Sequence, residues 1–175
     1  MSGPAAGAPE FSRIVDTRSL GNEALRLEAD EGERRALAQR FGIVGIDALT
    51  ATVELEPVKA GIAAGGRLEA RIVQACAISG EDLPVTISEA LSLRFVPARG
   101  PGRPDEELEL DAGDLDEIEF TGTQFDLGEA VAQSLALAID PFLEGPNAEE
   151  FRKNSGYFGE ERENPFAALA KLKKQ

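Results

Sequence analysis

Residues 68–97 read LEARIVQACAISGEDLPVTISEALSLRFVP, two alternating runs joined by a short polar turn. Leu68, Ala70, Ile72, Cys76 and Ile78 share one face of the first run, interrupted by Gln74; Val85, Ile87, Leu91, Leu93 and Phe95 share one face of the second, interrupted by Glu89. A period of two sends one face of each run to a core and the other to water. Ser79, Gly80, Glu81 and Asp82 have the chemistry of a tight turn, and so short a connection requires antiparallel pairing. A hairpin is therefore the centre of the fold.

Upstream, Leu49, Ala51, Val53 and Leu55 alternate with Thr50, Thr52, Glu54 and Glu56, which predicts a half-buried strand over 48–56. Residues 57–66, with Gly61, Gly65 and Gly66, read as a connection. Shorter strands are expected at Leu25–Ala29 and Phe11–Val15. Asp30 with Glu33 has the spacing of a capping box, and Ala36, Leu37, Phe41 and Val44 fall on one helical face, so the spacing predicts a helix over 31–41 ended by Gly42.

Downstream, the Pro-, Gly- and charge-rich segment 98–107 is a loop, with short strands expected at Leu108–Leu110 and Glu117–Phe120. Asp126 with Glu129 offers a second capping box, and Leu127, Val131, Leu135, Ala138 and Ile139 line one side of a helix that Pro141 closes. Beyond Pro146 the chain is polar until NPFAALAKLKK (164–174), where Pro165 suits a helix start and Phe166, Leu169 and Leu172 form a narrow apolar stripe beside Lys171, Lys173 and Lys174. These segments predict an α+β fold: an antiparallel meander sheet able to curl toward a barrel, packed by two helices, with a flexible carboxy-terminal tail. The expected organisation is a disordered arm at 1–10, an α+β domain at 11–145, and a tether with a short amphipathic helix at 146–175.

Composition limits the chemistry. The 175 residues hold 18 Lys and Arg against 32 Asp and Glu, a net charge of −14. Between Ala98 and Phe120, Arg99 and Arg103 stand against nine carboxylates, whereas from Arg152 onward Lys and Arg outnumber Glu. Phosphate backbones repel an acidic body, so neither DNA nor direct RNA reading by it is expected; the acidic loop, with Asp105, Glu107, Asp114 and Asp116, suits a basic protein or simply keeps the chain in solution. No apolar run approaches the roughly 20 residues that cross a bilayer, and MSGPAAGAPE has neither a basic nor an apolar signal region. A cytoplasmic protein with no membrane contact is expected.

With no histidine, Ser-His and Cys-His catalysis and the usual zinc sets are excluded, and no cofactor or metal is expected. Cys76, the one cysteine, lies on an apolar strand face, where a thiol is ordinarily an inert core residue rather than a nucleophile. Asp114, Asp116, Glu117 and Glu119 would permit carboxylate acid–base chemistry, but they sit in a solvated acidic run, and the chain has no Trp and one Tyr for stacking sugars. Gly65 and Gly66 lack the Lys and Ser/Thr of a phosphate loop and read as a turn. Gln74 and Glu89 break the apolar pattern and mark a sheet edge, a bulge, or a small-molecule site on the sheet face. The 164–174 stripe fits either a partner's groove or its own domain.

The order QACAISGEDLPVTISEALSLRF, acidic loop, FDLGEAVAQSLALAIDP and NPFAALAKLK resembles the YceD family, a domain of unknown function, and in particular its alphaproteobacterial branch, from about Phe11 to Lys174. Cys76, Asp126, Leu127, Leu135, Asp140 and Pro141 match the family's motif. The resemblance implies a non-enzymatic role in accumulation of large-subunit ribosomal RNA, hence ribosome biogenesis, with a large-subunit ribosomal protein or rRNA as partner. Many members carry Cys-x-x-Cys where this chain has Cys76, Ala77, Ile78 and Ser79, so no metal or redox role of that pair carries over. The expected contacts are the acidic loop for a basic protein and Lys171, Lys173 and Lys174 for phosphates, with Phe166, Leu169 and Leu172 as an apolar anchor.

Overall fold

A computed structural model describes residues 9–59, 61–98 and 116–155. The elements run β1 (Ile14–Asp16), a 3-10 turn (Thr17–Ser19), β2 (Leu25–Glu28), α1 (Glu31–Phe41), β3 (Gly45–Val58), β4 (Gly61–Ala75), β5 (Asp82–Pro97), β6 (Asp116–Phe120), β7 (Gln124–Asp126), α2 (Leu127–Ala138) and α3 (Ala148–Ser155). This is the expected α+β class. The five-stranded sheet has the order β2-β3-β4-β5-β6, and β1 pairs with β7 in a separate ribbon. Because β2 and β6 end the sheet, it stays open rather than closing into a barrel.

The capping signals at both helices are used, though differently. The Asp30 carboxylate accepts from Glu33 N–H at 2.8 Å, and the Glu33 carboxylate accepts from Asp30 N–H at 2.9 Å. Gly42 ends α1 at φ 66°, a left-handed conformation in which a Cβ is penalised. At α2 the Asp126 carboxylate caps Glu129 N–H, but the Glu129 carboxylate turns to Arg40 instead.

Three sequence expectations need correction. The sheet is not wholly antiparallel: β6 runs parallel to β5, pairing Leu93 with Asp116 and Phe95 with Ile118. Residues 98–115 provide the length that a parallel return requires, where a hairpin would need only a few. Second, 57–66 is not one connection: β3 continues to Val58 and pairs with Gly61, so β4 starts seven residues before Leu68. Gly65 and Gly66 are thus inside a strand, and a Cβ on Gly66 would lie 2.0 Å from the Thr52 carbonyl oxygen. That glycine permits close backbone approach rather than a turn. Third, the polar composition after Pro146 hides α3, whose Glu149 and Glu150 at the start and Arg152 and Lys153 at the end complement its dipole. The strand expected at Leu108–Leu110 and the helix at 164–174 lie outside the described residues, as does most of the amino-terminal arm.

Two compact units contain these elements. The larger takes the chain to Gln74 and Pro84–Asp140. In it Leu27, Leu37, Leu49, Val53, Leu68, Ile72 and Phe95 are buried together with Leu127, Val131 and Leu135 of α2. The smaller joins Ala75–Leu83, the tip of the β4–β5 hairpin, to the chain from Pro141.

Candidate functional site

In the larger unit the segment before β1 is tied down by Asp126, at the junction of β7 and α2. Its carboxylate accepts from Ser12 Oγ at 2.6 Å, Arg13 N–H at 2.8 Å and Glu129 N–H at 3.1 Å. Arg13 then reaches across: its guanidinium donates to both Glu33 oxygens (2.6 and 2.9 Å) and to the Glu28 carbonyl (2.9 Å), and lies 4.5 Å over the Phe11 ring. This bond to Arg13 lowers the Glu33 carboxyl from its usual range, against the opposing effect of burial. Arg40 holds Glu129 at 2.7 Å and Glu10 at 2.9 Å, and lowers Glu129 in the same way. Neither Arg13 nor Arg40 was singled out by sequence, because their partners stand at no helical or strand spacing from them.

Beside this clasp lies a cleft of about 350 Å³ between β1 and β2. Leu20, Leu27, Leu55 and Leu127 line it together with Ile14 and Leu25, which are 59% and 39% exposed. Arg13 and Asp16 at its walls are already partnered, by Glu33 and Arg18, while Glu23 and Arg26 stand at its rim.

The motif residues Asp126, Leu127, Leu135 and Asp140 are brought together only as parts of this scaffold. Leu127 and Leu135 are fully buried on α2, and the Asp140 carbonyl accepts from the buried Gln74 amide at 2.7 Å. Gln74 therefore anchors the end of α2 to β4. Glu89, its companion as a polar interruption, is exposed in a different shallow groove with Ser134, Leu137 and Ala138, in which Gln74 takes no part.

Cys76 and Pro141 belong to the smaller unit, where Pro141 is exposed. The Cys76 sulfur accepts N–H bonds from Gly145 at 3.2 Å, Ser79 at 3.3 Å and Ile78 at 3.4 Å, while Ala77 N–H reaches the Leu143 carbonyl at 2.9 Å. Cys76 is buried, but just past the end of β4 rather than on the strand's apolar face as expected. Hydrogen bonding from the Ser79 side chain and N–H, then from Gly145 N–H, pulls the thiol from an ordinary 9.0 down to about 7, with burial opposing. Ser79, three residues on, thus bonds to the Cys76 sulfur. Among the described residues no cluster of three or more His, Cys, Asp or Glu side chains can hold a metal ion.

One expected outcome follows for this turn. Thiolate ultraviolet absorbance should titrate with a midpoint near 7 in the native protein and near 9.0 in denaturant. A depressed acid adds stability as pH rises from about 7 towards 9.0, and that increment is lost as pH falls through about 7. The native protein should therefore gain thermal stability over Cys76→Ser across that interval; a native midpoint as high as the 9.0 of the denatured chain would contradict the hydrogen bonds to the sulfur.

Of the residues expected to bind partners, Asp105, Glu107 and Asp114 lie outside the described chain, as do Phe166, Leu169, Lys171, Leu172, Lys173 and Lys174. Asp116 begins β6 opposite Leu93, with its side chain undescribed. Among the described residues no helix is long and apolar enough to cross a membrane.

No curated protein and no solved structure matches this chain. The family model described as large ribosomal RNA subunit accumulation protein YceD does, over residues 64–173, more than half of the 175 residues. That span runs from β4 past α3 and carries Cys76, Asp126, Leu127, Leu135, Asp140 and Pro141, so the chain belongs to the YceD family.

Proposed function

We propose that this protein is a non-enzymatic assembly factor that supports accumulation of large-subunit ribosomal RNA in the cytoplasm by holding a basic ribosomal protein. The family's description supplies the ribosomal role. The observation that favours a protein partner is the fate of the described cations. Six of the twelve described Lys and Arg, namely Arg13, Arg18, Arg35, Arg40, Arg94 and Arg152, are each engaged by a carboxylate of the same chain. Binding to phosphates needs clustered, available Lys and Arg, and half of the described cations are taken up by carboxylates on a chain of net charge −14. The excess carboxylates, including the acidic stretch from Asp105 to Glu119, attract a basic surface over a Debye length of about 8–10 Å at physiological salt. Lys171, Lys173 and Lys174 remain the residues suited to a secondary contact with rRNA.

Deleting the gene should lower large-subunit rRNA relative to small-subunit rRNA, read from total RNA by electrophoresis, and an unchanged ratio would overturn the assignment. A pull-down from lysate should retain its ribosomal protein after ribonuclease treatment. Loss of all association on that treatment would make RNA the partner instead.

A further inference from the structure

Two strand edges wall the β1–β2 cleft, and neither pairs across it. In an antiparallel ladder successive residues turn their backbone N–H and C=O alternately toward the partner strand and away from it. On β2 the phase is set by Ala29 N–H, which donates to the Leu49 carbonyl at 3.0 Å. Leu25, Leu27 and Ala29 therefore address β3, and Arg26 and Glu28 address the opposite side. The Arg13 bond to the Glu28 carbonyl identifies that side as the one toward β1.

On β1, Leu127 N–H donates to the Arg13 carbonyl at 3.0 Å and Thr17 N–H to the Thr123 carbonyl at 2.8 Å. Arg13, Val15 and Thr17 thus address β7, and Ile14 and Asp16 turn away from it. By this phase the N–H groups of Ile14, Arg26 and Glu28 face away from β7 and β3. Such an edge is a template for another strand, and natural edges are normally covered or blunted.

The cleft also distinguishes the two faces of whatever pairs with it. Side chains of an added strand alternate, one set lying on the floor of Leu27, Leu55 and Leu127, the other emerging beside Arg26. With Arg13 and Asp16 neutralised internally, Glu23 and Arg26 are the charges left on the lining, and the chain around it carries a net charge of −14.

We propose that the β1–β2 cleft captures an extended basic segment of a partner protein by strand addition, with apolar residues on the leucine floor and Lys or Arg beside Glu23. The basic character of the segment rests on the function proposed above; the strand addition rests on the backbone phase alone.

The test uses the full chain and a fluorescent heptapeptide of alternating lysine and valine. It should bind saturably and slow amide hydrogen exchange at Ile14 and Arg26. The alternating glutamate–valine peptide, and the lysine–valine peptide N-methylated at every second residue, should each bind at least about tenfold more weakly. Ile14→Ser, at a largely exposed position and checked for an unchanged melting temperature, should weaken the lysine–valine peptide about tenfold. Equal binding of the N-methylated peptide, binding without slowed exchange at Ile14 and Arg26, or no binding would overturn the proposal, as would protection of those amides by a single-stranded RNA in place of the peptide. An unchanged rRNA ratio alongside peptide capture would remove the ribosomal assignment and leave the cleft's strand addition standing. A lowered ratio without capture would do the reverse.

Discussion

Truncating Phe95 to alanine should lower the free energy of unfolding by about 3–5 kcal/mol, the range for removing a fully buried aromatic ring. Phe95 is wholly inaccessible to solvent on β5, and its ring stacks on Phe125 with centroids 4.0 Å apart and planes 24° from parallel. Phe125 lies on β7 and meets Phe120 of β6 at 5.8 Å. The ring of Phe95 therefore joins the five-stranded sheet to the separate ribbon, and its loss removes transfer energy, leaves a cavity and strips Phe125 of its stacking partner. Since domains of this size are stable by only about 5–15 kcal/mol, the urea midpoint should fall sharply. Phe95→Leu, which refills part of the space, should lose clearly less. A loss below about 1 kcal/mol for the alanine variant would mean that the stack does not couple the two sheets.

Asp126→Ala should cost about 2–4 kcal/mol. The helix cap alone is worth about 1 kcal/mol. The same carboxylate also satisfies Ser12 Oγ and Arg13 N–H, and leaving a partly buried donor without an acceptor costs about 1–3 kcal/mol more. Asp126→Asn keeps one oxygen acceptor and should recover more than half of the loss. Under native conditions, the alanine variant should release the amino-terminal segment first, seen as faster hydrogen exchange at Arg13 and Val15 than in the rest of the core. Uniform exchange across the larger unit would show that Asp126 contributes to α2 and not to the clasp.

Local signals made much of the fold legible. Asp30, Glu33 and Gly42 delimit α1 because a helix end is decided within a few residues of itself. The alternation around Leu68 and Leu91 defined the central hairpin for the same reason. What escaped was long-range or negative. Gly66 looks like a breaker unless the Thr52 carbonyl is known to pass beside it. The parallel return of β6 depends on where an eighteen-residue connection goes, which composition does not encode. The clasp joins Ser12 to a residue 114 positions away. The cleft was beyond sequence altogether, since it arises from two strands that decline to pair, and alternation records only which face of a strand is dry. For the candidate site the motif identified residues that build the scaffold, while the exposed edges came from Ile14 and Arg26, which no motif marked.

The pairing of β1 with β7 has a consequence for the order of events during synthesis. A nascent chain emerges amino end first, so Phe11–Asp16 leaves the exit tunnel long before Gln124 is even decoded. Until then β2, β3 and β4 can zip up by neighbouring contacts, but Phe11 has no lid of α2 to enter. This polypeptide therefore completes its interior only once Gln124–Ala138 has emerged, and a ribosome stalled near the acidic loop would carry a half-roofed sheet whose first strand is still looking for its mate.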